Sequence, residues 1–469
     1  MVAIGHYEKL TELCTEVLTL APSADASFYS IIHFSLALGL LESGFKEQAI
    51  LHFRANSELT QSIFGDKSVE VFEANLFVVM GLLDAGRENE GWSLLNALEE
   101  RYPELAKVFD GEIAEIRHSS SSSGLGGSPD EVEEVLSRLV AKYGKYSFRT
   151  FNVHTMLAEA RVRNGQVDAG FATFEDLLHG IESTCGTQTL YYIRALRALA
   201  QSYKFVGRYE EELSTLRTVV TLSEQVLGES SLDTIMSTNS LVARLWECGR
   251  YQDGLRLASI ARARAQATLP LSDASRLYSE FHYACLLEKH GRLGEANTVL
   301  QSIIAPVTQL PVTQLTDDFQ LAEKVLGSLV RVSELRGETK LAIHHLEQLC
   351  EFSDAFRDSD DEVTLHRRFV LELLRLQVPS TQSENSSSVA TLALIEEKYS
   401  ALDTPADESL LEMRTHLAEA YRLLGDTDGL LSVLGKTLDT LKAMGLPDDH
   451  PKVIQTLNEL RSITNGSSH

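Results

Sequence analysis

Asn164-Gly165-Gln166-Val167-Asp168-Ala169-Gly170, Val206-Gly207-Arg208-Tyr209-Glu210, Cys248-Gly249-Arg250-Tyr251-Gln252-Asp253-Gly254 and His290-Gly291-Arg292-Leu293-Gly294-Glu295-Ala296 are four versions of one segment. Their glycines, Gly165, Gly207, Gly249 and Gly291, stand 42 residues apart, and each ends one amphipathic run and opens another. Glycine accepts the left-handed backbone of a tight turn after a helix at little cost. Gly44 and Gly86 carry the spacing upstream; Gly337 follows 46 residues on, and Gly425 another 88, or two units of 44. A fixed period of this length predicts a solenoid of helical hairpins, in which each unit packs on its neighbours and the core is continuous.

The positions around each glycine support this. Seven residues before it stand Ala37, Val79, Ala158, Ala200, Val242, Ala284, Val330 and Ala418, and five after it Ala49, Gly91, Gly170, Gly254, Ala296 and Ala342. Small side chains at both places let two helices approach closely, while Leu157, Leu199, Leu241, Leu287, Phe53, Phe174, Leu216 and Leu300 fill the rest of the seam. Their spacing has the helical period, with no strand-like alternation.

The stretch from Leu227-Gly228-Glu229-Ser230-Ser231-Leu232-Asp233 through Asn239-Ser240-Leu241 to Gly249-Arg250-Tyr251 resembles the tetratricopeptide repeats, and among them the 42-residue kinesin-light-chain type. Ser231-Leu232 stands where that family has His-Pro, and Ser240 replaces one asparagine; Asp449-His450-Pro451 to Leu457-Asn458-Glu459-Leu460 follows the pattern more closely. The likeness covers most of residues 29–469 and weakens over 300–410. It implies an all-α, right-handed superhelical solenoid of antiparallel helix pairs, with about nine or ten hairpins. Residues 1–117 would form the first hairpins with a capping helix, 118–129 a Ser/Gly-rich loop, and 130–469 the remaining repeats, continuous with the first. A second polar stretch, 378–388, also reads as a surface loop.

The formal charge of −25, from 42 basic and 67 acidic residues, argues against nucleic acid or an anionic membrane as partner. Five scattered cysteines without a Cys-x-x-Cys pair read as reduced thiols. With no apolar leader at the N-terminus and no long uncharged apolar window, the chain is expected in the cytoplasm. Phosphate-loop, zinc-protease and serine-hydrolase motifs are absent. Gly124-Leu125-Gly126-Gly127 follows no strand, His344-His345 is adjacent and poorly placed for chelation, and Asp358-Ser359-Asp360-Asp361-Glu362 reads as a turn that caps the next helix. No catalytic residue, cofactor or metal is expected.

In tetratricopeptide folds the first helix of each pair lines the inner surface, and its inward positions lie 13, 10, 6 and 3 residues before the turn glycine. For Gly207 these are Arg194, Arg197, Gln201 and Lys204, a basic stripe in an acidic chain. Neighbouring units add Asn152, Thr155 and Glu159; Met236, Asn239 and Trp246; Tyr278, Phe281 and Glu288; and Lys324, Arg331 and Glu334. The first two units give an apolar wall of Ile31, Phe34, Leu38, Leu41, Leu76, Met80 and Leu83; in the plainer reading a first helix over residues 6–20 closes this wall and the cations pair with neighbouring carboxylates such as Glu159. Guanidinium groups, amides and aromatics on one wall suit an extended, acidic peptide segment of another protein, and kinesin-light-chain repeats similarly use a basic, asparagine-lined groove for acidic cargo peptides. The expected function is a non-enzymatic interaction scaffold or adaptor. The alternative is a sensor or enzyme holding a small molecule, with the apolar wall as pocket and the Arg194 cluster as anion anchor.

Overall fold

The computed structural model describes residues 7–20, 25–42, 45–119, 128–309, 317–355, 357, 360–402 and 407–466. Among them are 23 helices and no strand. The chain falls into two compact units, Met1–Thr268 and Leu269–His469.

The first unit opens with α1 (Tyr7–Leu20), which packs on the hairpin α2 (Ala26–Glu42) and α3 (Lys46–Phe64). A second hairpin, α4 (Val69–Asp84) and α5 (Glu88–Arg101), is followed by α6 (Pro103–Val108), α7 (Asp110–Ser119) and α8 (Pro129–Tyr143). Three regular hairpins complete it: α9 (Phe151–Arg163) with α10 (Val167–Cys185), α11 (Leu190–Phe205) with α12 (Tyr209–Leu227), and α13 (Leu232–Glu247) with α14 (Tyr251–Thr268). The second unit holds α15 (Ala274–Lys289) with α16 (Leu293–Thr308), α17 (Asp317–Leu335) with α18 (Thr339–Asp354), α19 (Glu362–Leu376) with α20 (Gln382–Ser400), and α21 (Asp407–Leu424) with α22 (Thr427–Ala443), closed by α23 (Pro451–Gly466). Consecutive helices pack on one another within each unit, giving successive helix pairs as the 42-residue period predicts.

The repeat register explains the packing. Gly165, Gly207, Gly249 and Gly291 all have φ between 71° and 81°, so each turn uses the backbone that glycine permits. The small residues seven positions before the turn are buried, and Ala37, Ala158 and Ala284 have no exposed surface at all. At Gly170 a β-carbon would lie 2.5 Å from Val162 Cγ2 and 2.9 Å from the Ala158 carbonyl oxygen, so α9 and α10 touch backbone to backbone there.

Residues 120–127 of the Ser/Gly tract lie outside the described residues, but its end forms as read: Ser128 and Glu131 make a reciprocal capping box on α8, with Pro129 in the first turn. Asp361 likewise accepts a hydrogen bond from the Thr364 backbone and caps α19. The polar stretch 378–388 is not the loop expected. Thr381 and Glu384 form a capping box, and α20 runs through the serines that follow, which stay largely on its exposed side. Serine's low helix propensity is overridden here by the cap and by Val389, Leu392, Ile395 and Tyr399, which bury the far end of the same helix.

Candidate functional site

Seven of the ten positions offered to a partner lie in the first unit, on α9, α11 and α13; Tyr278, Lys324 and Arg331 lie in the second. The helices of the first set are sheathed by their neighbours except along one stripe. On α11 the exposed residues are Arg194, Gln201, Lys204 and Phe205. These recur at helical spacing, so one face carries them all. Phe205, 61% exposed, lies on the turn after Gln201, and across on α13 Met236 is 42% exposed. The sequence reading passed over Phe205 because the repeat register counts inward positions only to three before the glycine.

Arg197 serves the fold first. Its Nη2 donates to Asp233 Oδ1 at 3.0 Å and to Ser237 Oγ at 3.1 Å, tying α11 to α13, while its Nε has no acceptor. Trp246 Nε1 is a second buried donor without an acceptor on α13. Asn239 is buried on α13 and makes its own contacts inside the protein. Lys204 is exposed and makes no salt bridge among the described residues; Glu212, whose charge it influences, is already closed by Arg244 at 2.8 Å. On α9, Asn152 donates to Glu115 Oε1 at 2.9 Å. Burial pushes the Glu115 carboxyl above its ordinary value against the pull of Asn152 and Arg149. Glu159, about two turns further along α9, is pushed by burial up to about 7, with Arg163 pulling the other way.

In the second unit Arg331 is bound to Glu288 by two hydrogen bonds, Nε to Oε1 at 2.7 Å and Nη2 to Oε2 at 2.8 Å, and the pair holds α15 to α17. Lys324 is exposed beside His282, whose imidazole is held down to about 4 by burial and by the Lys324 charge. Tyr278 is half-buried, its ring centroid 6.0 Å from that of His282.

The apolar wall expected of the first two hairpins is largely closed by protein. Leu10 and Cys14 of α1 are buried in the cluster against which Phe34, Leu38 and Leu41 pack, and Phe34 meets Phe77 edge-on at 4.8 Å. Leu76 is buried, Leu83 packs on the next cluster, and Ile31 and Met80 stay exposed. A cleft that the sequence did not suggest lies between α3, α4 and α5: about 710 Å³, with Asn75, Gln61, Asn89, Glu90, Val78 and Leu82 among its lining residues.

All five cysteines are free thiols; burial pushes Cys285 up to about 12 and Cys350 to about 11. His345 is buried and bonded to Gln301 Nε2 at 2.8 Å, a satisfied core histidine. No helix among the described residues is long and apolar enough to cross a membrane.

No family model matches the chain, and no curated protein matches it. Among solved structures it is similar to Podosopora anserina kinesin light chain nearly identical TPR-like repeats, at 20% identity over 44% of this chain and 97% of that one, TM-score 0.37. It is also similar to BtubC (BKLC) from P. vanneervenii, at 15% identity over 48% of this chain and 87% of that one, TM-score 0.42. The apo form of RapI aligns over 89% of this chain and 98% of its own at 8% identity, TM-score 0.46.

Proposed function

We propose that the chain is a non-catalytic binding scaffold whose first unit holds an extended, acidic segment of another protein along the open stripes of α9, α11 and α13. The observation that carries this reading is the composition of the α11 stripe: Arg194, Gln201, Lys204 and Phe205 are its only exposed residues, in a chain whose formal charge is −25. Two cations, an amide and an aromatic ring on a rigid helix supply the contacts an acidic peptide needs: charge-assisted bonds for its carboxylates and an apolar seat for one anchor. Among the buried donors without acceptors, Arg197 Nε lies on α11 and Trp246 Nε1 on α13, and both favour an acceptor-rich ligand. In the second unit Lys324 and Tyr278 are offered for the same kind of ligand, with Arg331 held by Glu288.

The test uses a fluorescein-labelled peptide with an Asp-Glu-Asp core and one tryptophan in a Gly-Ser background, followed by fluorescence anisotropy. Arg194→Glu with Lys204→Glu should weaken binding at least about tenfold, since each lost charged contact is worth roughly 1 kcal/mol or more and reversal adds repulsion. Both residues are exposed, so helicity and melting temperature should hold. Affinity should also fall between low and physiological salt. Binding that ignores both the double reversal and salt contradicts the reading.

A further inference from the structure

Glu159 is a carboxyl group that no cation closes among the described residues. Buried carboxylates that knit the hairpins together are closed by cations: Glu212 by Arg244 at 2.8 Å, Glu323 by Arg357 at 3.0 Å, Glu396 by Lys436 at 2.7 Å. Glu159 is half-buried on the α9 stripe, and no described residue makes a salt bridge or hydrogen bond to it; Arg163, one turn on, acts only through space. An ionised carboxylate in that setting is costly unless a cation reaches it, so an incoming ammonium or guanidinium supplies what the protein itself does not.

The repeat fixes where that cation would come from. Gln201 stands 42 residues after Glu159 and is its equivalent on the next hairpin, and Lys204 lies less than a turn further along α11. Neighbouring first helices α9 and α11 pack directly. Packed helices sit 8–10 Å apart and rise 1.5 Å per residue, which places Glu159 and Lys204 about 10 Å from each other. An extended segment in the polyproline conformation returns to the same side every third residue, about 9 Å on. We infer that the bound segment carries a lysine or arginine three residues from its acidic contact with Lys204, seated against Glu159. This rests on the groove reading above and narrows it from an acidic segment to one of mixed charge in a fixed register.

The experiment compares the Asp-Glu-Asp peptide with versions carrying a lysine three residues before or after the core, on the full chain and on Glu159→Gln. One lysine peptide should bind the natural chain about tenfold more tightly than the parent, the scale of a desolvated charged contact. That advantage, taken as the ratio of lysine-peptide to parent-peptide affinity on each protein, should vanish in Glu159→Gln; circular dichroism confirms that the variant is folded. No lysine advantage on the natural chain, or one that survives Glu159→Gln, overturns the inference and leaves the groove reading standing. If no peptide binds, or binding ignores Arg194→Glu with Lys204→Glu, the groove reading falls and this inference with it.

Discussion

Arg197 and Arg331 read in the sequence as cations turned toward a partner, and in the fold each also closes a carboxylate of an adjacent hairpin, Asp233 and Glu288. Helical periodicity tells which face a side chain occupies. It says nothing about a partner that arrives from 36 or 43 residues away. The same limit hid the buried pair Glu212 and Arg244, because Glu212 sits five residues after Gly207, where the repeats at Gly44, Gly86, Gly165, Gly249, Gly291 and Gly337 carry glycine or alanine. For Glu159 the register gives a place on the α9 stripe, and its raised carboxyl follows from burial, which the register does not show. The carboxyl has a folded value of about 7 against an ordinary 4.5. Between those values the folded chain holds a proton that the unfolded chain releases, so this group's contribution to stability falls as pH rises through the window and is flat above it. Replacing it with glutamine removes the slope. Urea unfolding of Glu159→Gln should therefore show a gain over the natural chain that is larger by on the order of 1–3 kcal/mol at pH 8 than at pH 5, after allowing for partial solvation. An equal difference at both pH values contradicts the assignment.

At the level of the helix, glycines of identical chemistry should respond in opposite directions. Gly170 lies where α10 meets α9, and an added methyl group would meet the Ala158 carbonyl oxygen at 2.9 Å, backbone that cannot swing aside. Gly435 lies inside α22 with nothing within 4 Å of the same position. Gly170→Ala should lower stability by about 1–3 kcal/mol through overpacking, whereas Gly435→Ala should raise it by about 0.5–1 kcal/mol through helix propensity. Thermal melts of the two variants beside the natural chain check both signs. The close approach at Gly170 was legible from the repeat. The helix over Gln382–Ser400 was not, because a run of serines resembles a linker until Thr381 and Glu384 are recognised as a capping box and the apolar residues from Val389 onward are counted with them.

Over the whole chain, the 42-residue period was enough to foresee an all-helical array of hairpins, since the turn glycines and the small residues around them are spaced by the repeat itself. It could not foresee the division at 268/269, because the period passes unbroken from Gly249 to Gly291. That α1 fills the apolar wall of the first hairpins was one of two readings the sequence allowed, and the packing of Leu10 and Cys14 decides for it. On the first unit the α11 stripe is open to solvent, and the proposed function stands on that surface. Hydrogen–deuterium exchange on the full chain, with and without the tightest-binding acidic peptide, tests it most directly. The account predicts added protection in the segments that contain Asn152 to Glu159, Arg194 to Phe205 and Met236 to Trp246. Protection confined to the cleft between α3 and α5, or to the second unit alone, would contradict it.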